Sequence, residues 1–450
     1  MGMATVEISR LIDERKVSGL QWRAIGFCGL VALLDGFDTQ SVAFAAPAIA
    51  KDWGINVASF GPGFAAGLAG LTVAALSLGV VGDRVGRKRI IIVSLAMMGI
   101  FSLLCARAGS LPQLAIARFF VGLGLGGAMP NIIALTAEYS PARIRSTLIT
   151  CMCIGIPMGA VIGGAASSPL ISAFGWQSLF IVGGILPLAL IPLIMIGMPE
   201  SVRYLVSVER HKAKVRSIIA RIAPDLPSDV IVTRQNADVA ARGSIAQLFS
   251  DRRAATTLTL WFVFFCNLLV MYLLINWLPI VLTTAGIPHT QAIFGTVLFN
   301  LGGAIGGYFI ARSLDKRQSD NALRFAFFGA AVFIALLGFA MTDVRLALAL
   351  TFLSGFCGMG ALFGMNALTA SYYETEIRST GVGWAHGIGR IGSIIGPVVG
   401  GALIGMGAET QTILLIAAVP MLACVAGLLM LTRIGARQAD FSPSKLTGAH

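Results

Sequence analysis

The sequence predicts an all-α polytopic membrane protein of twelve transmembrane helices in two six-helix bundles. Three observations carry this. The 450 residues are 56% hydrophobic and only 12% charged, with a mean hydropathy of +0.84, a balance outside the range of soluble domains. The apolar residues gather into twelve runs, each close to the ~20 residues that cross a ~30 Å hydrocarbon core. The two halves of the chain repeat three short patterns at nearly one offset.

Taken in order, the expected spans are 22–47, 57–81, 90–107, 111–138, 146–170 and 176–198, then 257–284, 290–312, 323–341, 345–370, 381–405 and 410–432. Charge in the intervening loops alternates. Of 33 Lys and Arg, 28 lie on one side, three (Lys51, Arg107 and Arg345) on the other, and Arg118 and Arg390 lie inside spans. The positive-inside rule then makes both termini and the central segment cytoplasmic. The net charge of +12 reflects this topology, and no nucleic-acid partner is expected. Residues 1–20 carry charges of both signs and no apolar core, so no cleavable signal is expected. Seven cysteines, all within spans and without a CxxC pair, indicate neither a disulfide framework nor a metal site.

The expected organisation is an N-terminal bundle over 1–198, a polar cytoplasmic linker over 199–256 and a C-terminal bundle over 257–450. Arg203 to Arg221 in the linker reads either as a basic amphipathic helix on the membrane face or as a solvated connection. The repeats support duplication. Gly79 to Lys88 matches Gly307 to Lys316, Ile144-Arg145-Ser146-Thr147 matches Ile377-Arg378-Ser379-Thr380, and Gly155xxxGly159xxxGly163-Gly164 matches Gly392xxxGly396xxxGly400-Gly401. Duplicated bundles of this kind hold substrate near mid-membrane.

Within the first span, Asp35 and Asp38 lie three residues apart on one helical face. A charge at that depth costs at least a few kcal/mol and is rarely left facing lipid. The pair therefore suggests a site that holds a proton, the alternative being a purely structural role. Arg118, about seven residues into the fourth span, needs an anionic partner, and Asp35 or Asp38 is the natural one. The expectation is that Arg118 holds Asp35 and that Asp38, further toward the periplasm, carries the proton. Arg390, about nine residues into span eleven, has no acidic residue at its depth in its own half and suits a bidentate clamp on a substrate carboxylate. His386 lies one turn earlier on the same face. Span seven adds Asn267, Tyr272, Asn276 and Trp277, stacking faces and directed hydrogen bonds for a ring, with Trp277 alternatively an interface residue. Asn300 and Asn366 are further intramembrane amides, each either a cavity group or interhelical glue.

Several stretches resemble a known family. Gly79xxxAsp83-Arg84xGly86-Arg87-Lys88 resembles the signature loop of the major facilitator superfamily, and Arg118-Phe119xxGly122xGly124xGly126 and Pro199-Glu200-Ser201 resemble two more of its motifs. Asp35-Gly36-Phe37-Asp38 is similar to the first-span signature of its aromatic acid:proton symporters. Tyr272 to Pro279 and Pro130 to Thr136 resemble the 3-(3-hydroxyphenyl)propionate branch, whereas Asp38-Thr39 resembles the 4-hydroxybenzoate and protocatechuate branch. The resemblance implies a major facilitator fold and a proton-coupled importer of a small aromatic carboxylate, working by alternating access as an inner-membrane monomer with a proton gradient in place of a cofactor. It also implies a conformational latch in Gly79, Asp83, Arg84, Gly86, Arg87 and Lys88, degraded in the repeat where Ala311 replaces Asp83. Glu138 is expected to pair with Arg145 or Arg84. The competing function is a facilitator-type exporter or antiporter, suggested by the glycine pattern of span five. A sensor would need an output domain, and an enzyme would need a nucleotide loop, metal cluster or nucleophile-base set; the sequence offers none of these.

Overall fold

A computed structural model of the chain describes residues 5–13, 15–207, 212–222, 231–233, 245–250, 253–317, 321–374 and 377–440. Twelve helices long and apolar enough to cross a membrane follow one another. They are α1 (Gly19–Trp53), α2 (Gly61–Val85), α3 (Arg87–Cys105), α4 (Leu111–Tyr139), α5 (Gly155–Phe174) and α6 (Gln177–Gly197), then α7 (Ala254–Thr284), α8 (His289–Arg317), α9 (Asn321–Phe339), α10 (Val344–Tyr372), α11 (Arg378–Gly405) and α12 (Thr410–Asp440). Among the described residues the strands are one parallel pair of three residues each, β1 (Thr5–Glu7) and β2 (Ile231–Thr233).

The helix ends follow local chemistry. At the start of α1 the Ser18 hydroxyl accepts from the Gln21 amide while Gln21 Oε1 accepts from the Ser18 amide, a capping box that satisfies two orphan donors. The helix stops at Gly54, whose φ of 65° is left-handed. Asp343 Oδ1 caps α10 by accepting from the amides of Arg345 and Leu346. Span five is not one continuous helix: a short helix, Arg145–Cys153, precedes α5, with Ile154 between them.

The chain forms two compact units, one of Met1–Ile55 with Ala66–Val239, the other of Asn56–Ala65 with Ala240–His450. This division differs from the expected boundaries at 198 and 257 in two respects. The linker is shared between the units, and the outer end of span two groups with the second unit, where Phe64 stands edge-on to Trp277 at 5.2 Å. In the first unit the described linker folds back on the bundle. Val202, Tyr204 and Leu205 of one short helix and Val215, Ile218 and Ile222 of another, Lys212–Ile222, are all buried. Its apolar face is thus spent on protein.

Corresponding helix pairs meet in both units: α1 with α5 and α7 with α11, α3 with α4 and α9 with α10, α3 with α6 and α9 with α12. The repeated glycines make the first pairing possible. A Cβ at Gly159 would lie on the Leu33 carbonyl of α1, and one at Gly396 on the Leu269 carbonyl of α7. Backbones approach this closely only across small residues. Because both units use the pattern alike, it belongs to helix packing, and it lends no support to the antiporter reading.

Candidate functional site

The first-span motif divides its four residues between packing and charge. A Cβ at Gly36 would strike the Ile156 carbonyl of α5, so glycine seats α1 against α5. The next residue, Phe37, lies beside Gly163 and Gly183. Asp38 is fully buried. Its Oδ2 pairs with Arg118 Nη1 at 2.7 Å, its Oδ1 accepts from the Ser102 hydroxyl of α3 at 2.8 Å, and its backbone carbonyl accepts from Arg118 Nη2 at 3.3 Å. An ion pair so thoroughly hydrogen-bonded meets the condition under which a buried charge is tolerated.

The expected pairing is thereby corrected: Arg118 holds Asp38, not Asp35. The reason is depth. Arg118 enters from the Leu111 end of α4, and Asp38 is one turn nearer than Asp35 to the Trp53 end of α1, which lies on the same side by topology. Asp35 is itself buried and accepts from the Thr39 hydroxyl at 3.2 Å. Sequence reasoning missed Ser102. A serine in an apolar span carries no distinguishing mark, since Ser94 on the same helix is equally buried.

In the second unit, Arg390 Nη1 donates to the Tyr272 hydroxyl at 3.0 Å and its guanidinium lies 5.9 Å from that ring's centre. Among the described residues it has no carboxylate partner; Glu374 pairs with Arg253 instead. His386, one turn away, shares a hydrogen bond of 2.5 Å between its Nε2 and Asn366 Oδ1 and lies against the Phe264 ring at 4.9 Å. Tyr272, His386, Asn366 and Arg390 thus form one cluster of directed polar groups beside aromatic rings.

Other span-seven expectations need correction. Trp277 is fully buried, its indole donating to the Pro397 carbonyl at 2.8 Å, so it offers no ring face to a ligand and is no interface residue. Asn267 is likewise enclosed and donates to the Gly358 carbonyl of α10 at 3.2 Å, which makes it interhelical glue. Asn276 and Asn300 turn their amide N–H back to the carbonyls of Tyr272 and Thr296, one turn earlier in each helix.

The linker-side latch is wired differently from expectation. Glu138 pairs with Arg87 at 2.7 Å and accepts from the Ser201 hydroxyl. Arg145 instead lies 3.7 Å from Asp13 and donates to the Ser140 carbonyl, and Arg84 is exposed. Gly86, at a φ of 110°, precedes α3, and Glu200 of the Pro199-Glu200-Ser201 motif accepts there from the Lys88 amide at 2.9 Å. A carboxylate at a helix N-terminus satisfies orphan amides and complements the dipole. Lys88 Nζ donates to the Met195 carbonyl. Gly79 and Asp83 of the expected latch lie in α2 and Ala311 in α8, but their side chains lie outside those described.

Comparison with known proteins follows the same lines. The model of the Major Facilitator Superfamily matches residues 28–363 and 260–448. The chain is 37% identical to the 4-hydroxybenzoate transporter PcaK of Pseudomonas aeruginosa, over 94% of this chain and 95% of the relative. It is 35% identical to the 3-(3-hydroxy-phenyl)propionate transporter of Escherichia coli, over 90% and 92%. Among solved structures, a D-xylose-proton symporter superposes with a TM-score of 0.67 at 16% identity, covering 89% of this chain and 97% of that one. At that identity the likeness concerns the fold alone.

Proposed function

The chain belongs to the Major Facilitator Superfamily, and from that premise we propose that it imports a small aromatic carboxylate together with a proton, by alternating access. The observation that carries the carboxylate of the substrate is Arg390. A permanently charged guanidinium beside a tyrosine ring, with no carboxylate partner among the described residues, suits the planar carboxylate of an incoming acid. The names of relatives that this chain matches nearly end to end, transporters of 4-hydroxybenzoate and of 3-(3-hydroxy-phenyl)propionate, support the same class. The rise of one helical turn from Arg390 to His386, about 6 Å, is comparable to the length of a benzene ring bearing a carboxylate and a distal hydroxyl. His386, oriented by Asn366, is the partner for that hydroxyl.

Proton coupling falls to the carboxylates of the first unit. Asp38 is committed to the ion pair with Arg118 and to the Ser102 hydroxyl. Asp35, buried one turn from that pair on the same helix, is then the residue that takes up a proton on one side and releases it on the other. The charge bias of the loops supports an inner-membrane protein with cytoplasmic termini. We take the working unit to be a monomer, driven by the proton gradient and without a cofactor. Reconstituted protein tests this directly. Radiolabelled 4-hydroxybenzoate and 3-(3-hydroxyphenyl)propionate should accumulate in proteoliposomes when an inward proton gradient is imposed, and a labelled sugar should not. Equal uptake of all three, or accumulation indifferent to the gradient, contradicts the proposal.

A further inference from the structure

The first unit contains a cavity on its linker side, away from the buried carboxylates. It encloses about 350 Å³ between the start of α3, the end of α6 and the linker helix Lys212–Ile222. Lys88, Arg89 and Arg221 bring three positive charges to its wall, against one carboxylate, Glu200. That carboxylate already accepts from the amides of Lys88 and Ser201, each at 2.9 Å, so its charge is directed at the helix end. The Lys88 ammonium is fixed by the Met195 carbonyl at 2.8 Å, while Arg89 and Arg221 are exposed at the rim. Leu20, Ile92 and Ile218 give the remaining wall an apolar stretch, beside Tyr204 and Ser217. Beyond it the surface is apolar as well: Leu193, Met195 and Ile196 of α6 are strongly exposed, Ile196 at 89%, as the lipid-facing side of a spanning helix must be.

We propose that this cavity binds the phosphate-bearing headgroup of an anionic phospholipid from the leaflet on the linker side. Cations, then an apolar wall, then a lipid-facing strip follow one another in the order of a phospholipid's own phosphate, glycerol ester and acyl chains. Basic pockets at membrane depth recognise anionic headgroups in this way. A free phosphate would use only the cations and leave the apolar wall idle. Bound there, the lipid would tie the linker helix to the first turn of α3, next to the Arg87–Glu138 pair.

Native mass spectrometry of the purified full-length protein tests the assignment, with dioleoyl phosphatidylglycerol, dioleoyl phosphatidylcholine and inorganic phosphate as probes. Phosphatidylglycerol should be retained about tenfold more than phosphatidylcholine, since a wall of cations favours an anionic headgroup over a zwitterionic one. The double variant Arg89→Gln/Arg221→Gln should lose that preference, and Arg89→Lys/Arg221→Lys should keep it. Removing two exposed charges elsewhere, in Arg312→Gln/Arg433→Gln, should leave it intact. Equal retention of phosphatidylglycerol by the parent and the Arg89→Gln/Arg221→Gln protein overturns the site. Displacement of the lipid by inorganic phosphate, with phosphate binding lost in the same variant, overturns the lipid in favour of a free anion. A photoactivatable phosphatidylglycerol needs no variant: crosslinks on the parent protein should map to 88–92, 196–205 and 217–221, and labelling confined to other segments contradicts the proposal.

Discussion

Asp38 and Arg118 close a buried ion pair, and removing either partner leaves a lone charge in the first unit. Asp38→Asn should therefore cost about 3–5 kcal/mol, the usual penalty of breaking a buried pair, and should impair both proton-driven uptake and counterflow; thermal unfolding in detergent reads the first and transport the second. Asp35→Asn leaves the pair intact. It should abolish uphill uptake while counterflow persists, and uphill accumulation by this variant at the parental level would return the proton to another group. Arg390→Lys keeps the charge but loses the planar fork, so 4-hydroxybenzoate binding should weaken by about 1–3 kcal/mol, measurable by isothermal titration. Unchanged affinity in Arg390→Ala would place the clamp elsewhere. These residues were legible in the sequence because a charge inside an apolar run is costly and rare. Their partners were not: the choice of Asp38 over Asp35 depends on helix depth, and the Ser102 hydroxyl and the enclosed indole of Trp277 are settled by tertiary packing.

At the scale of elements, helix pairing rests on a few close backbone approaches. Gly159→Ala and Gly396→Ala each place a methyl on a neighbouring helix's carbonyl. Overpacking of this kind costs typically 1–3 kcal/mol, and the two substitutions should lower the unfolding temperature by similar amounts, since corresponding pairs carry the same motif. A shift in only one of them would contradict the equivalence of the repeats. The Arg87–Glu138 pair is partly buried, and a double-mutant cycle with Gln at both positions should return a coupling energy of at least ~0.5 kcal/mol. Arg145→Gln, which gives up a 3.7 Å approach to Asp13 and a 3.3 Å bond to the Ser140 carbonyl on a partly exposed side chain, should come within ~0.5 kcal/mol of the parent, as is usual for surface changes. Span positions were readable to within a few residues because apolar length dictates them. The break at Ile154 and the burial of the linker helix were not, because neither interrupts the hydropathy pattern.

The whole molecule combines two duplicated units with unlike chemistry: carboxylates and Arg118 in one, Arg390, Tyr272, His386 and Asn366 in the other. The internal repeat announced the duplication and the loop charges its topology, so the fold class was legible almost entirely from sequence. The substrate class was legible only through motif resemblance, because an arginine clamp accepts any planar carboxylate. Central to the account is that the acid and a proton cross together. A pH-sensitive dye sealed inside proteoliposomes, with 4-hydroxybenzoate added outside and no imposed gradient, tests it most directly. The interior should acidify in step with substrate entry for the parent protein and stay unchanged for Asp35→Asn. Substrate entry in the parent without any internal acidification beyond that of protein-free liposomes would contradict it.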